Sequence, residues 1–379
     1  RKIKENMSIQ KIREGQTPLL VPKFEKISKK NLVFYNPEMK LSRDISVILA
    51  SVLKPRSYLD ALAASGVRGI RIAKESEINC KIVLNDINPR AIEFMEENAK
   101  INHVDVKIEN EDANYLMLRY IKEGEKFDFI DIDPFGSPVR FIDNAIKCLK
   151  VEGFLGVTST DTSALCGTYP KSCQKKYDAV SLRTDYYNEL GLRILLGFIS
   201  RCAFRNGYAV EPIFSHSTKH YFRVYLKLRK SKRELSENLE NIMYIQHCFK
   251  CLNRSYRSLA DLKEKCECGN SFRNAGPLWT GKLADPEICK KMLKKVSELS
   301  ENLEGKELER LIGLIMEEAE IVQPYFNIHK VYKKLERNVE AMNRVIEKLE
   351  KNGFKARRTH FSNFGIKTNA SVFEIYQIL

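Results

Sequence analysis

Between residues 57 and 230, short runs of β-branched and aromatic residues alternate with segments of helical periodicity, and this alternation constrains the fold more than any other feature of the chain. Parallel strands need a crossover of a dozen residues or more, so strand–helix alternation predicts a mostly parallel sheet with helices on its faces. Strands are expected at 58–62, 81–85, 106–109, 127–132 and 154–158. Helices fall between them, as at 89–102, where Ala91, Phe94, Met95 and Asn98 share one face. A longer helix is expected over 185–206. Two runs, 209–216 and 221–228, follow it across a short turn and predict an antiparallel hairpin closing one edge of the sheet. The charged stretch RKSKRELSENLE reads as a linker, dividing an α/β domain (1–235) from a smaller α+β domain (236–379). The second domain is expected to hold helices near 286–295, 306–321 and 330–352, with short strands at its end.

With 379 residues and 43% hydrophobic content, the chain can bury two cores. Its apolar runs are short and broken by charge, so no membrane span is expected, and the Lys- and Glu-rich start lacks a signal-peptide core. A cytoplasmic protein follows. The balance of 64 Lys and Arg against 49 Asp and Glu gives a net charge of +15, unevenly placed. Residues 1–30 carry nine Lys or Arg and three Glu, and 351–373 hold Lys351, Lys355, Arg357, Arg358 and Lys367 with no acid. Such runs attract a polyanion and release its counterions on contact, which points to nucleic acid; solvated surface charge explains either run alone equally well.

After the first strand comes DALAASGVRGIRIAKE, with Asp60 at the strand and Gly66 and Gly69 in the turn that opens a helix. Glycine lets backbone approach a ligand closely, so this turn is a natural cofactor cradle, although the G-x-G-x-x-G spacing of dinucleotide enzymes is absent. The next two strands also end in carboxylates. Asp86 can accept both ribose hydroxyls of a nucleoside cofactor and Asp112 can meet its adenine amino group; a loop carboxylate or a helix cap is the other reading of each. Upstream, NLVFYNPEMKLSRDISV offers a capped helix start at Ser42, with Arg43 and Asp44 beside it. Arg43 and Arg68 are candidates to clamp a carboxylate as planar forks, or else to form ion pairs.

The fourth strand runs KFDFIDIDPFGSP, carrying Asp133, Pro134 and Phe135 into a tight loop. An aromatic amine is a poor nucleophile because its lone pair is delocalised into the ring. Methylating it requires acceptors that hold the N–H groups and turn the lone pair towards the methyl donor. Asp133 and the Pro134 carbonyl can be those acceptors, and Phe135 can stack on the base. Asp131 faces the same side as a second acceptor or as buried support.

DPFGSP, with FYNPEMKLSRDIS and DALAASGVRG before it and SHSTKHYFRVY, GPLWTG and GIKTNAS after it, resembles the tRNA guanine-26 N2-dimethyltransferase family over nearly the whole chain. The resemblance implies a class I S-adenosylmethionine methyltransferase sheet, Rossmann-like, followed by a family-specific C-terminal domain. It also implies N2-methyl- and N2,N2-dimethylguanosine as products and tRNA as partner, with no obligate protein partner. The implied cofactor contacts are Arg43, Arg68, Asp86, Asp112 and Ala113, and the implied catalytic acceptor is Asp133. In GIKTNAS, Asn369 and Ser371 stand where the family pattern has Asp and Pro. Two other readings compete: amine methylation of a different base, and a zinc-ribbon RNA-binding protein whose sheet domain is inactive.

Cys248-x-x-Cys251 and Cys266-x-Cys268 lie 14 residues apart, a spacing that suits one tetrahedral, structural zinc ion held by four thiolates, although the second pair is one residue tighter than usual. The other six cysteines read as reduced core thiols. TYPKSCQKKY, with Lys171, Lys175 and Lys176, is a candidate phosphate-contacting loop.

Overall fold

In the computed structural model, which describes residues 9–23, 33–299, 303 and 305–379, the alternation becomes a seven-stranded sheet. A separate antiparallel hairpin, β1 (Ile9–Glu14) and β2 (Thr17–Pro22), precedes it. The sheet comprises β3 (Ser57–Asp60), β4 (Lys81–Asn85), β5 (Lys107–Glu109), β6 (Phe127–Ile132), β7 (Leu149–Ser159), β8 (Ala209–Thr218) and β9 (Tyr221–Arg229), in the order β5-β4-β3-β6-β7-β9-β8. Strands β3 to β7 pair in parallel. Helices α2 (Val67–Glu75), α3 (Pro89–Asn102), α4 (Ala113–Lys122) and α5 (Val139–Cys148) connect them, and α1 (Lys40–Leu53) precedes β3. Parallel strands covered on both faces must be apolar throughout, and Leu59, Val83, Leu84, Ile130, Leu155 and Val157 are fully buried. Each such side chain contributes about 1.5–3 kcal/mol. The order reverses at β3, whose neighbours are β4 on one side and β6 on the other. Open α/β sheets bind ligands at such a switch point, beyond the strands' C-terminal ends.

Several expectations are corrected. The helix start placed at Ser42 lies earlier: Asn36 accepts from the Glu38 amide and Pro37 opens a short 3₁₀ turn that leads into α1, leaving Ser42 buried inside the helix. Strand β7 begins at Leu149 rather than at 154; an irregularity in its pairing with β6, with Glu152 in the left-handed region, breaks the alternating pattern that would have revealed it. The charged stretch after β9 is a helix, Lys232–Glu240, capped by Ser231 and with no buried residue, so its composition looked like a linker's.

Two compact units are distinguished, Arg1–Thr158 with Tyr225–Arg229 and Glu287–Ile312, and Ser159–Val224 with Lys230–Pro286 and Gly313–Leu379. In the second, helix Tyr187–Arg205 packs on a three-stranded antiparallel sheet of β10 (Ile242–His247), β11 (Arg254–Arg257) and β12 (Arg273–Trp279), ordered β11-β10-β12. Gly197 permits this approach: a Cβ there would stand 2.8 Å from the Leu278 Cα. A further sheet, β13 (Phe326–Asn327), β14 (Ala356–Thr359) and β15 (Ser362–Thr368), shares a core with helices Ile328–Leu335 and Met342–Lys351. The single helix expected over 330–352 is thus two, the first ended by Glu336 in the left-handed conformation. Among the described residues no helix is long and apolar enough to cross a membrane.

Candidate active site and metal centre

Asp133 follows β6 at the switch point, its side chain about four-fifths covered (18% exposed). The Arg68 guanidinium, 5% exposed, donates to its Oδ2 through NH2. The same guanidinium donates through NH1 to Ser46 Oγ at 2.6 Å, and its Nε lies 3.9 Å from Asp131 Oδ1. Asp131 itself is fully buried and accepts from the Tyr58 hydroxyl at 3.0 Å, so it serves as support beneath the loop. Phe135 is 45% exposed, an unusual position for a phenylalanine, and meets Phe34 edge to face at 4.3 Å between centroids. Gly136 adopts a positive φ of 76° that closes the loop.

The cradle is built from the ends of β3, β4 and β5. Gly66, at φ 78°, makes the turn into α2, whereas Gly69 serves packing: a Cβ there would fall 2.2 Å from Leu84 Cδ2 on β4. Asp60 is buried at the end of β3. Asp86 Oδ2 accepts from the Ala64 amide and Oδ1 from the Asn88 amide, both at 2.9 Å. These bonds fix the carboxylate and leave each oxygen a further lone pair. Burial raises the Asp86 pKa, against the lowering effect of the two amides. Ala64 holds a left-handed φ of 49°, strain of the kind that gathers at ligand sites. Asp112 caps α4, accepting from the Asn114 and Tyr115 amides at 2.9 and 3.2 Å. Ala113 is the first residue of that helix, where backbone amides have no intrahelical partner. Ile87 (64% exposed) and Tyr115 (62% exposed) add apolar surface after the same strand ends.

Arg43 lies in a buried charge cluster. It grips Glu14 with Nε and NH2, at 2.8 and 2.5 Å, and donates to the Asn36 carbonyl at 3.0 Å. Arg71 completes the cluster, 3.1 Å from Glu14, 2.6 Å from Asp44 and 2.9 Å from Glu75. Burial pushes the Glu14 carboxyl up, but Arg43 and Arg71 outweigh it and hold its pKa at about 2. Of the Arg43 nitrogens, NH1 takes no partner among the described residues.

The four clustered cysteines meet at the end of β10. Their sulfurs all lie within 4.8 Å of one another, with Cys248–Cys268 and Cys251–Cys266 each at 3.5 Å and unbonded. A tetrahedral zinc with bonds of about 2.3 Å requires sulfur separations of about 3.8 Å, so the thiols fit that ion. Leu252, at φ 60°, and Gly269, at φ 82°, form the two knuckle turns. The tighter Cys266-x-Cys268 pair is accommodated because the Gly269 amide bonds back to the Cys266 carbonyl at 2.8 Å. Asn253 and Asn270 donate side-chain N–H groups to Cys266 and Cys268 at 3.4 Å, as outer partners of metal thiolates do.

The profile of the N2,N2-dimethylguanosine tRNA methyltransferases matches residues 15–379. The chain belongs to this family. The tRNA (guanine(26)-N(2))-dimethyltransferase of Methanothermobacter thermautotrophicus is 39% identical over 375 residues, covering 97% of this chain and 98% of that protein. The tRNA (guanine(26)-N(2)/guanine(27)-N(2))-dimethyltransferase of Aquifex aeolicus is 36% identical, covering 96% and 94%. The solved complex of Trm1 from Pyrococcus horikoshii with S-adenosyl-L-methionine is similar with a TM-score of 0.87 at 35% identity, covering 97% of this chain and 99% of that one.

Within this member of the dimethylguanosine methyltransferase family, the structure gathers Asp60, Gly66, Asp86, Asp112 and Ala113 along consecutive strand ends, and brings Arg68 onto Asp133. Sequence reasoning missed Phe34, Ser46 and Glu14. Phe34 carried a signal, an aromatic inside FYNP; Glu14 carried none, since it sits in a basic run. Most of that run's charges (residues 1, 2, 4, 26, 29 and 30) lie outside the described residues. TYPKSCQKKY forms a short helix, Pro170–Tyr177, with Tyr169 exposed before it and Lys176 paired to Asp161 at 2.8 Å. Of the C-terminal basic residues, Lys367 is buried against Glu189 at 3.0 Å. Asn369 accepts from the Lys355 amide, and Ser371 forms a capping box with Glu374 on the final helix. A proline at 371 could not donate the Ser371 amide to Glu374, a bond of 2.7 Å here.

Proposed function

We propose that the chain transfers methyl groups from S-adenosylmethionine to the exocyclic N2 of guanine-26 in tRNA, giving N2-methyl- and then N2,N2-dimethylguanosine. The observation that carries this is the Asp133-Pro134-Phe135 loop at the sheet's switch point, with a half-exposed phenylalanine beside an oriented carboxylate. Asp86 and Asp112, with Ala113, receive the ribose and adenine. Arg43 through NH1 and Arg68 serve the methionine end, and Asp60 and Gly66 shape the turn between. The donor set fits S-adenosylmethionine, which supplies a methyl group on a sulfonium centre.

The chain's residues prepare the acceptor. A stacked, paired guanine cannot reach this loop, so it is extruded, and Phe135 with Phe34 offsets part of the unstacking cost. Asp133 and the Pro134 carbonyl accept the two N2–H groups, turning the nitrogen lone pair out of the ring plane. As the nitrogen–methyl bond forms, the methyl's bond to sulfur breaks with its electron pair left on a neutral thioether; the amine would then be cationic, and its proton passes to Asp133 or onward to water. After one transfer a single N–H remains, and the same acceptors orient it again.

Residues 1–235 act as the methyltransferase domain and 236–379 as the domain that helps bind tRNA, with zinc at Cys248, Cys251, Cys266 and Cys268 in a purely structural role, since four thiolates leave no open position. The enzyme works in the cytoplasm, where its substrate and a reducing environment coincide. Incubation of the purified chain with S-adenosylmethionine and unmodified tRNA, followed by nucleoside mass spectrometry, tests the proposal. Both guanosine products are expected, and they are lost when residue 26 of the tRNA is adenine; methylated adenosine would instead favour the other base.

A further inference from the structure

We infer that Ser46, in the middle of α1, is a positioning residue for methyl transfer, acting through Arg68 on Asp133; this rests on the reading of Asp133 above. Ser46 is 3% exposed, and its hydroxyl makes three contacts: the Ser42 carbonyl at 2.9 Å, Arg68 NH1 at 2.6 Å and the Tyr225 hydroxyl at 2.9 Å. A hydroxyl has one hydrogen and two lone pairs. The Ser42 carbonyl can only accept, so it takes the hydrogen. The lone pairs are then filled by Arg68 and by Tyr225, which must donate. Every valence of the oxygen is committed, and its position is fixed by a helix backbone on one side and a β9 tyrosine on the other.

The consequence reaches Asp133 because a guanidinium is planar and rigid. NH1 is held most closely by Ser46, with the Ser42 carbonyl and Oγ farther off at 3.4 Å, and this sets the direction of NH2, which donates to Asp133 Oδ2. With Oδ2 held by Arg68, Asp133 would offer Oδ1 to the guanine amine at an angle set from α1, and small misplacements of a reacting group cost rates heavily. Neither Ser46 nor Tyr225 touches the reacting atoms.

Single-turnover methyl transfer at saturating S-adenosylmethionine and tRNA separates this role from cofactor binding. Ser46→Ala should lower that rate about tenfold or more while melting like the wild type, and Ser46→Thr, which keeps the hydroxyl, should retain most of it. Tyr225→Phe, which leaves Ser46 in place, should give a smaller loss in the same direction and keeps the test open if Ser46→Ala folds poorly. An Ala variant within twofold of wild type, a loss cured by more cofactor, or equal losses in the Ala and Thr variants would overturn the inference. Asp133→Ala run alongside tells the two readings apart: if it stays active, the role of Asp133 has failed, and if only it is inactive, the role of Ser46 has failed.

Discussion

The Arg68 guanidinium lies on the Asp133 carboxylate, pairing a residue of the glycine turn with one from the far side of the switch point, 65 positions along the chain. A carboxylate so oriented is what amine methylation needs. Asp133→Ala is therefore expected to reduce methyl transfer by roughly 10²–10⁴-fold, the usual worth of a positioned proton acceptor. Affinity for S-adenosylmethionine, measured by calorimetry, should change little. Asp133→Asn keeps one carbonyl acceptor and should fall between the two. Wild-type transfer by the Ala variant would remove Asp133 from the mechanism.

Glu14 should control both stability and its pH dependence. Its carboxyl is held near 2 against an ordinary 4.5. Because the folded value is the lower one, the stabilisation is fully present above pH 4.5 and is lost as pH falls through 2; the shift corresponds to on the order of 3 kcal/mol. Glu14→Gln leaves Arg43 and Arg71 short of a buried counter-charge and should lower the melting temperature at neutral pH by several degrees. Between pH 4.5 and 2 its stability should fall less steeply than that of the wild type. Superimposable pH profiles would show that Glu14 does not carry this linkage.

The sheet was legible because its strands are buried on both faces, which forces uninterrupted apolar runs such as IVL at 82–84, and because each strand end carries its own carboxylate. What escaped were features decided by distant partners. Nothing local distinguishes Glu14, buried by two arginines 29 and 57 residues away, from an exposed glutamate in a basic run. Ser42 looked like a cap by residue type, but Asn36 and Pro37 supply the helix start. Arg43 and Arg68 were recognisable as planar forks for a carboxylate, whether of a ligand or of an ion pair, whereas their partners here, Glu14 and Asp133, lie far away in sequence.

Gly69→Ala tests the division of labour between the two turn glycines. An added methyl would meet Leu84 Cδ2, a fully buried atom of β4, so α2 would be pushed from the sheet. Overpacking of this kind costs about 1–3 kcal/mol. Thermal melting should detect the loss, with cofactor affinity falling only as far as the turn is displaced. An unchanged melting temperature would mean that the contact between α2 and β4 is looser than the structure has it.

Zinc should be bound at one ion per chain, measurable by elemental analysis of protein purified without added metal. The four thiols occupy two knuckles, held besides by the turn amides, the Asn253 and Asn270 contacts and the Tyr376 hydroxyl, which donates to the Cys251 carbonyl. Without a cation to bridge them, four sulfurs at these separations lose their common ligand and the knuckles loosen. A strong chelator, or Cys251→Ser, is expected to lower the melting temperature. Sheet-domain chemistry should persist, because the Asp133 site shares no ligand with the cluster, and the impairment should appear as weaker tRNA binding rather than weaker S-adenosylmethionine binding. Protein that contains no zinc and is indifferent to chelation would show that the cysteines pack as free thiols. A selective loss of cofactor affinity on chelation would contradict the independence of cofactor binding from the cluster.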